Sequence, residues 1–284
     1  MCKVIAIIGG DKRIVNLADL LAEENKVITY GQELAEHSKE IQQSNSLKSA
    51  IEQAETIIGP IPFSKDGETI FTKYSKNKVL IKELLQKCKG KTLIAGALSE
   101  EVHELAKEND IKIIDLMQNE SLAVLNTIAT AEGTVEVAIR KTQKIIHGSK
   151  VLILGFGRVA KTVAKKFAGL SAKVTCAARK QEAFAWIEAN GYKSSNINKL
   201  GENLKEYDII INTPPTLILN RERLKQIKKD CLVIDLASKP GGVDLDTARE
   251  LGINFEWALA LPGKVAPVTA AEHIKRVVNG DGSN

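Results

Sequence analysis

A glycine motif in the middle of the chain constrains the fold more than any other feature. The apolar run 150–154 ends in Gly155-Phe156-Gly157, and Ala160 follows. In a Rossmann unit, the first glycine permits a tight turn, the second lets backbone N–H groups approach a pyrophosphate, and the small third residue lets the helix pack on the strand. The helix N-terminus then offers unpaired N–H groups to the anion. The motif therefore predicts a strand, a turn and a helix that bind a dinucleotide.

The sequence after the motif supports this interpretation. Residues 161–170 show a helical pattern, and 174–178 show the next buried strand. The alternative is a purely structural turn, because glycine-rich turns are common in α/β folds. The residues expected to contact the cofactor at this turn are Gly155, Phe156, Gly157, Arg158 and Val159.

The end of the second strand favours NADP over NAD. An NAD-binding unit usually places Asp or Glu there to accept hydrogen bonds from the ribose 2′-hydroxyl. This chain has Arg179 and Lys180 instead. Arg offers a planar set of donors to a 2′-phosphate, which a carboxylate would repel. The alternative is that both residues are ordinary solvated charges.

Composition sets the class of protein. The 284 residues suit two domains, and 44% hydrophobic and 26% charged residues are typical of a globular chain. The net charge of +5 is spread among charges of both signs, so no nucleic-acid partner is indicated. No apolar segment reaches the about 18 residues of a membrane span. Scattered cysteines and isolated histidines predict reduced thiols, no metal site and a cytoplasmic location.

The order of strand and helix patterns predicts an α/β fold. We expect two Rossmann-like doubly wound parallel-sheet domains joined by a long helix. The first domain comprises 1–120 with the C-terminal helix 265–284, the linking helix covers 121–147, and the NADP-binding domain covers 148–264. We expect a cleft between the two sheets. The strands expected are Val4–Ile8, Lys26–Tyr30, Thr56–Pro60, Thr92–Gly96, Ile111–Leu116, Val151–Leu154, Val174–Ala178, Asp208–Asn212, Leu232–Leu236 and Asn254–Ala258.

Loops after strands carry the other candidate residues, because ligands of open α/β sheets bind at the carboxyl ends of strands. The additional cofactor contacts expected in the second domain are Asn212, Thr213, Pro214, Ala237 and Lys264. For Lys264 the alternative is an ordinary connecting loop, and Asp235 is expected either to brace the structure or to touch a ligand.

Substrate contacts are expected from the first domain and the linking helix. The candidates are Gly10, Asp11, Arg13, Asn126, Thr130 and Glu132. Asp11 has an alternative role as the N-cap of a simple turn. Gly133 is unfavourable inside a helix, so close approach of another element is expected there. The catalytic base is unknown, and its candidates are Glu132 and Lys239.

Several motifs together resemble the family of the dipicolinate synthase A-subunit. They are Ile7-Ile8-Gly9-Gly10-Asp11-Lys12-Arg13, the run 126–134, His147-Gly148-Ser149, Gly155-Phe156-Gly157-Arg158, Ile211-Asn212-Thr213, the run 235–242 and the run 261–267. The resemblance covers nearly the whole chain, and the wider fold is similar to 2-hydroxyacid and alanine dehydrogenases. Ala129 stands where the resemblance leads us to expect Pro, and Val159-Ala160 where it leads us to expect Thr-Gly or similar.

The resemblance implies an NADP-dependent oxidoreductase subunit that oxidises a dihydrodipicolinate-type intermediate, a small dicarboxylate, to dipicolinate. It implies a role in sporulation, in the mother-cell cytoplasm of a bacterium, and it implies that the partner is the flavoprotein-like B-subunit of dipicolinate synthase. Self-association is left open. Two alternatives are a methylenetetrahydrofolate dehydrogenase-like enzyme, whose final loop is similar to 261–265, and a nucleotide-binding regulatory subunit that catalyses nothing alone.

Overall fold

The protein is described by a computed structural model that covers residues 2–280. The chain divides into two compact units. Unit 1 holds the residues up to Asn126 and those from Ala266 onward, and unit 2 is Thr127–Val265.

Unit 1 is built on a parallel sheet whose strands alternate with helices. Its elements are β1 (Val4–Ile8), α1 (Lys12–Leu21), β2 (Lys26–Tyr30), β3 (Gln42–Gln43), α2 (Leu47–Glu52), β4 (Thr56–Ile58), α3 (Ile81–Lys87), β5 (Thr92–Ala95), α4 (Glu100–Glu108), β6 (Lys112–Asp115) and the start of α5 (Glu120–Lys141). Apolar side chains of the central strands point alternately to the two faces of the sheet, so a separate core forms on each face.

Unit 2 repeats this alternation. Its elements are the rest of α5, then β7 (Lys150–Leu154), α6 (Arg158–Gly169), β8 (Lys173–Ala178), α7 (Gln181–Ala189), β9 (Lys193–Asn196), β10 (Ile209–Asn212), α8 (Arg221–Leu224), β11 (Leu232–Asp235), α9 (Leu245–Glu250), β12 (Asn254–Trp257) and α10 (Leu261–Val265). The chain then returns to unit 1, where α11 (Pro267–Asn279) packs against α1.

The two sheets have the same topology. The strand orders are β3-β2-β1-β4-β5-β6 and β12-β11-β10-β7-β8-β9, with every neighbouring pair parallel. This is the doubly wound Rossmann order, in which ligands bind where the strand order reverses. The reversal lies beside β1 in unit 1 and beside β7 in unit 2. The expected fold class is therefore confirmed.

The long helix α5 is shorter than the sequence predicted. It ends at Lys141 rather than near residue 147, because the Asn254 side chain donates to the Lys141 carbonyl (3.0 Å) and Thr142 turns the chain by accepting from the Lys144 N–H. Gly133 faces α10, where an added Cβ would lie 3.1 Å from a methyl of Leu261. The expected close approach at Gly133 is therefore confirmed.

Among the described residues, α5 is the one helix long and apolar enough to cross a membrane by length and composition alone. No apolar segment of that length was expected from the sequence. Core helices of globular proteins pass the same test, and 44% of the apolar window in α5 is buried inside the structure.

Other elements differ from the sequence prediction mainly in length or presence. The predicted strands are found, most of them a residue or two shorter or longer, and the Ser99 side chain caps α4. Part of the connecting loop expected around Lys264 is instead the short helix α10, in which Leu261 is buried. The structure also contains short elements that were not predicted, because each is too short or too weakly periodic to give a clear pattern: β3, α2, α7, β9, α8 and α9.

Candidate functional site

A groove lies at the carboxyl edge of the second sheet. Its volume is about 1110 Å³, and it runs from the turn after β7 past the end of β8 to the segment after β10. The residues that line it are Gly155, Phe156, Gly157, Lys161, Ala178, Arg179, Lys180, Glu182, Ala183, Trp186, Ile197, Asn198, Thr213, Pro214, Thr216, Leu217, Ile218, Asn220, Glu222 and Arg223. Six of the predicted cofactor contacts other than Gly155 are thus brought together with it in one groove.

The glycine turn at one end of the groove depends on the absence of a side chain at Gly155. Its φ of +94° belongs to the left-handed region, and an added Cβ would lie 2.6 Å from the Thr213 hydroxyl oxygen. That hydroxyl donates to the Leu154 carbonyl (2.8 Å). The turn after β7 and the loop after β10 therefore pack directly on each other.

The N-terminus of α6 is open toward a ligand. Gly157 is its N-cap and makes no side-chain capping bond. Apart from its two chain neighbours, no described residue has an atom within 4 Å of a Cβ added at Gly157, so a ligand phosphate can approach the backbone. The ammonium of Lys161, one turn into α6, lies 5.6 Å from the centre of the Phe156 ring. Arg158 is exposed at the start of α6, and Val159 packs against the core of unit 2.

The end of β8 carries charges of both signs. Arg179 and Lys180 are exposed and line the groove. Glu182 also lines it, and its carboxylate pairs with Lys180 at 3.4 Å. Within the described part of the chain, Arg179 is thus the basic group at this strand end whose charge is not offset by an adjacent ion pair.

Two apolar side chains stand exposed at the outer part of the groove. Trp186 is 62% exposed and Leu217 is 59% exposed. Neither residue was singled out from the sequence. Trp186 was missed because it lies on α7, a helix that was not predicted. The i, i+4 spacing of Glu182 and Trp186 places them on one face of that helix, and this spacing was the signal available.

Asn212 and Ala237 belong to a buried network rather than to the groove surface. The Asn212 amide donates to the Asp235 carboxylate (2.8 Å) and to the Pro214 carbonyl (3.0 Å). Asp235 also accepts the N–H groups of Ala237 (3.0 Å) and Gly242 (2.7 Å). Of the two roles considered for Asp235, the structure shows bracing of the loops after β10 and β11.

Lys239 and Lys264 lie outside the groove lining. Lys239 is exposed in the loop after β11, and Lys264 is exposed on α10. Their predicted roles, as candidate base and as cofactor contact, stay predictions.

The glycine turn of unit 1 is closed by its own chain. The Gly10 N–H donates to the Phe71 carbonyl (2.8 Å), and an added Cβ on Gly10 would lie 2.5 Å from Ile14. Asp11 caps α1 and binds the buried guanidinium of Arg13 at 2.8 Å. Asp11 thus fills the N-cap role considered as its alternative.

The candidates on α5 lie away from the glycine groove. Glu132 pairs with Lys166 of α6 at 2.7 Å and lines a different groove between these helices. Asn126 belongs to unit 1 and Thr130 to unit 2, and neither lines the glycine groove. Their predicted contacts with substrate stay predictions.

Three of the cysteines are poor nucleophiles. Burial raises the pKa values of Cys88, Cys176 and Cys231 to about 12, so their thiols stay protonated at neutral pH. Among the side chains that the structure describes, no group of three or more from His, Cys, Asp or Glu is placed to hold a metal ion.

Comparison with known proteins identifies the family. The sequence profile of the N-terminal domain of the dipicolinate synthase A-subunit matches residues 4–117. The dipicolinate synthase A-subunit of Bacillus subtilis (strain 168) is 33% identical over 279 residues, which span 97% of this chain and 94% of the relative. The chain belongs to the dipicolinate synthase A-subunit family. The resemblance inferred from the sequence is therefore confirmed.

Solved structures agree with this family and with the wider fold. The crystal structure of the dipicolinate synthase A-subunit from Bacillus halodurans superposes with a TM-score of 0.90 at 31% identity, over 99% of this chain and 98% of that one. A transhydrogenase from Sinorhizobium meliloti has a TM-score of 0.70 at 15% identity, over 98% and 93% of the two chains, and shows the fold alone.

A second profile matches the part of the chain that carries the groove. The D-isomer specific 2-hydroxyacid dehydrogenase NAD binding domain matches residues 123–240. This match and the family together support an oxidoreductase of the dehydrogenase type with an NAD(P)-binding domain.

Proposed function

We propose that the chain is an NADP-dependent dehydrogenase subunit that oxidises a dihydrodipicolinate-type dicarboxylate to dipicolinate. The observation that carries the cofactor assignment is the start of α6, just after β7, where no side chain caps the helix and the space beside Gly157 is open. An anion held there receives backbone N–H donors and the positive end of the helix. The substrate assignment rests on the family.

The residues present fit a dinucleotide along the groove. Gly155, Phe156 and Gly157, with Arg158 and Val159 behind them, hold the pyrophosphate at the start of α6. Arg179, assisted by Lys180, binds the 2′-phosphate. Thr213 and Pro214 line the path toward the nicotinamide end. When bound, the nicotinamide supplies the hydride acceptor, and aromatisation of the ring supplies driving force.

Trp186 and Leu217 extend this assignment to the adenine end. We propose that the Trp186 indole covers the adenine, because a flat aromatic surface exposed in a groove stacks favourably on a base. Only Trp186 and Trp257 contribute tryptophan fluorescence. We expect NADP⁺ to quench the fluorescence of Trp257→Phe and to leave that of Trp186→Phe nearly unchanged. Equal quenching in both variants would refute the contact.

Cofactor preference is tested by calorimetric titration with NADP⁺ and NAD⁺. Arg179→Ala removes a charge-assisted bond to phosphate, so we expect the Kd for NADP⁺ to rise about 10- to 100-fold, with little change for NAD⁺. Lys173→Ala, at the opposite end of β8, is the matched control. If NAD⁺ binds as tightly as NADP⁺ and Arg179→Ala leaves the ratio unchanged, NADP is the wrong assignment.

The reaction is tested by following NADPH and dipicolinate together. We expect the chain to form both products from a dihydrodipicolinate-type intermediate, with the flavoprotein-like B-subunit supplied where required. The site of this reaction would be the mother-cell cytoplasm of a sporulating bacterium. NADP⁺ binding without product, with or without that partner, would favour a purely regulatory role.

A further inference from the structure

The long loop between β4 and α3 of unit 1 carries a small pocket, lined by residues between 65 and 78, none of which lines the glycine groove. Its volume is about 300 Å³, which suits one small molecule. The polar side chains in its lining include three ammonium groups, two hydroxyl groups and one amide, from Lys65, Lys76, Lys78, Thr72, Ser75 and Asn77. This lysine pocket is therefore built to meet a polar ligand.

The loop that forms the lysine pocket is fixed in place by the core of unit 1 and by its own backbone. Ile70 and Val79 are buried, and the Ile70 N–H donates to the Val79 carbonyl (2.9 Å). The Lys73 N–H donates to the Gly10 carbonyl (3.0 Å), which ties the loop to the end of β1. A ligand that binds to such a loop loses little affinity to the ordering of the backbone.

The charges in the lysine pocket are not balanced within the chain. None of Lys65, Lys76 and Lys78 forms an ion pair with a carboxylate of the described residues. The acidic residue of the lining is Asp66, whose carboxylate accepts the hydroxyl (2.6 Å) and the N–H (2.8 Å) of Thr69 and so holds the turn. Three lysines against one aspartate leave the pocket with a charge of +2.

The donors of the lysine pocket are oriented by contacts within the loop. The Lys65 ammonium lies 3.6 Å from the centre of the Phe71 ring, where a cation–π attraction holds it. The Ser75 hydroxyl oxygen accepts the Asn77 N–H (3.0 Å), which leaves its own O–H free to donate, and Thr72 adds a second hydroxyl. Ammonium and hydroxyl donors of this kind bind carboxylate oxygens.

The same loop covers the turn where the sequence predicted substrate contacts in unit 1. The Phe71 carbonyl accepts the Gly10 N–H, and the Thr72 methyl fills the space beside Gly9. The backbone donors of that turn are therefore not available to an anion. The unpaired cations of the covering loop are the groups of this region that can receive one.

We propose that the lysine pocket binds a small dicarboxylate anion. The two carboxylates carry a charge of −2, equal and opposite to that of the pocket. Lys65, Lys76 and Lys78 neutralise them, and Thr72 and Ser75 donate hydrogen bonds to their oxygens. That the anion is the substrate or the product of the reaction rests on the proposed function, whereas the binding site itself does not.

Calorimetric titration of the full-length chain with dipicolinate, pyridine-2-carboxylate and inorganic phosphate tests the site. We expect saturable binding of dipicolinate with a Kd below about 1 mM that weakens as salt is added. Pyridine-2-carboxylate lacks one carboxylate, so we expect it to bind at least about 10-fold more weakly. No saturable binding of dipicolinate would overturn the proposal, and so would phosphate binding of equal affinity.

Two variants locate the binding in the lysine pocket. Lys65→Gln and Lys76→Gln each remove one charge, so we expect the Kd for dipicolinate to rise about 3- to 10-fold in each and about 10- to 100-fold in the double variant. Lys89→Gln is the matched control, because Lys89 is exposed and lies outside the pocket. An unchanged melting temperature and NADP⁺ affinity would show that the variants fold.

The same variants separate this proposal from the proposed reaction. Dipicolinate binding that the double variant weakens, in a chain that forms no product with or without the B-subunit, would support the site and contradict the reaction. A wild-type chain that forms dipicolinate, with a double variant that binds dipicolinate as tightly as the wild type, would overturn the site and leave the reaction standing.

Discussion

The two units have the same strand order, but the glycine turn is closed in unit 1 and open in unit 2. Each sheet reverses its strand order beside a strand that ends in a glycine turn and a helix N-terminus. In unit 1 the Asp11 carboxylate caps that helix and Ile14 fills the space beside Gly10. In unit 2 the helix begins at Gly157 with no side-chain cap and open space among the described residues. Strand order therefore provides a place for an anion, and the side chains at the turn decide whether one fits.

The two glycine turns also differ in how much of each is covered by another segment of the chain. In unit 1 the segment after β4 returns to the glycine turn, where the Phe71 carbonyl accepts from Gly10 and the Thr72 methyl fills the space beside Gly9. In unit 2 the loop after β10 packs against Gly155 through Thr213 but leaves Gly157 uncovered. The same fold thus gives a closed turn in one unit and an accessible one in the other.

The same substitution at the two turns is expected to give the largest difference between the units. Gly10→Val forces a branched side chain into a position with φ of +105° and against Ile14. We expect a loss of about 4–6 kcal/mol in the free energy of unfolding, from backbone strain and overpacking. Gly157→Val fits sterically, so we expect an unchanged melting temperature and an NADP⁺ Kd raised at least about 100-fold.

Chemical denaturation and calorimetric titration of both variants measure these outcomes. Gly201→Val is the control for Gly157→Val, since Gly201 also has open space and lies outside the glycine groove. Stable Gly10→Val, or Gly157→Val with wild-type affinity for NADP⁺, would contradict the distinction between the turns.

Asp11 provides the next largest effect. Asp11→Ala removes the cap of α1 and leaves the buried Arg13 guanidinium without its carboxylate, so we expect a loss of about 2–4 kcal/mol in stability. Asp11→Asn keeps a capping oxygen and should lose less. NADP⁺ affinity should stay unchanged in both. A loss of affinity without a loss of stability would instead place a ligand at this turn.

The smallest predicted effect concerns Asp208, which lies directly before β10, at the amino edge of the second sheet. Burial acts to raise the pKa of Asp208, but hydrogen bonds from Lys228, the Lys150 N–H and Lys144 together hold it at about 2, below its ordinary 3.8. The folded pKa is depressed, so the stability from this carboxylate is present above pH 3.8 and is lost as the pH falls through about 2.

We therefore expect Asp208→Asn to lower the melting temperature by about 2–4 °C at neutral pH and to converge with the wild type in acid. Thermal melts across this pH range measure the difference. The control is Asp246→Asn, a largely exposed carboxylate paired with Arg249, for which we expect no change. A difference that persists at the lowest pH would show that the Asp208 carboxylate is not its source.

Local patterns were sufficient to predict the scaffold and its family. The buried apolar runs at β1 and β7 predict strands. The Gly155-Phe156-Gly157 spacing predicts a turn directly after β7. These strands can be recognised in the sequence because a parallel strand buried on both faces needs a continuous apolar run. The weakly periodic helix α7, and with it Trp186, escaped because its apolar positions form no clear stripe.

The fold class, the dinucleotide turn and membership of the dipicolinate synthase A-subunit family could all be predicted before folding was considered, because each is indicated by short motifs of residues close together in the chain. Which of the two glycine turns is open depends on the folded chain. Folding also places Asn212 and Asp235 where they brace loops, and it brings Arg179, Trp186 and Leu217 to one groove. These outcomes depend on contacts between segments tens of residues apart, such as Gly10 with Phe71 and Asn212 with Asp235, and no local pattern encodes such contacts.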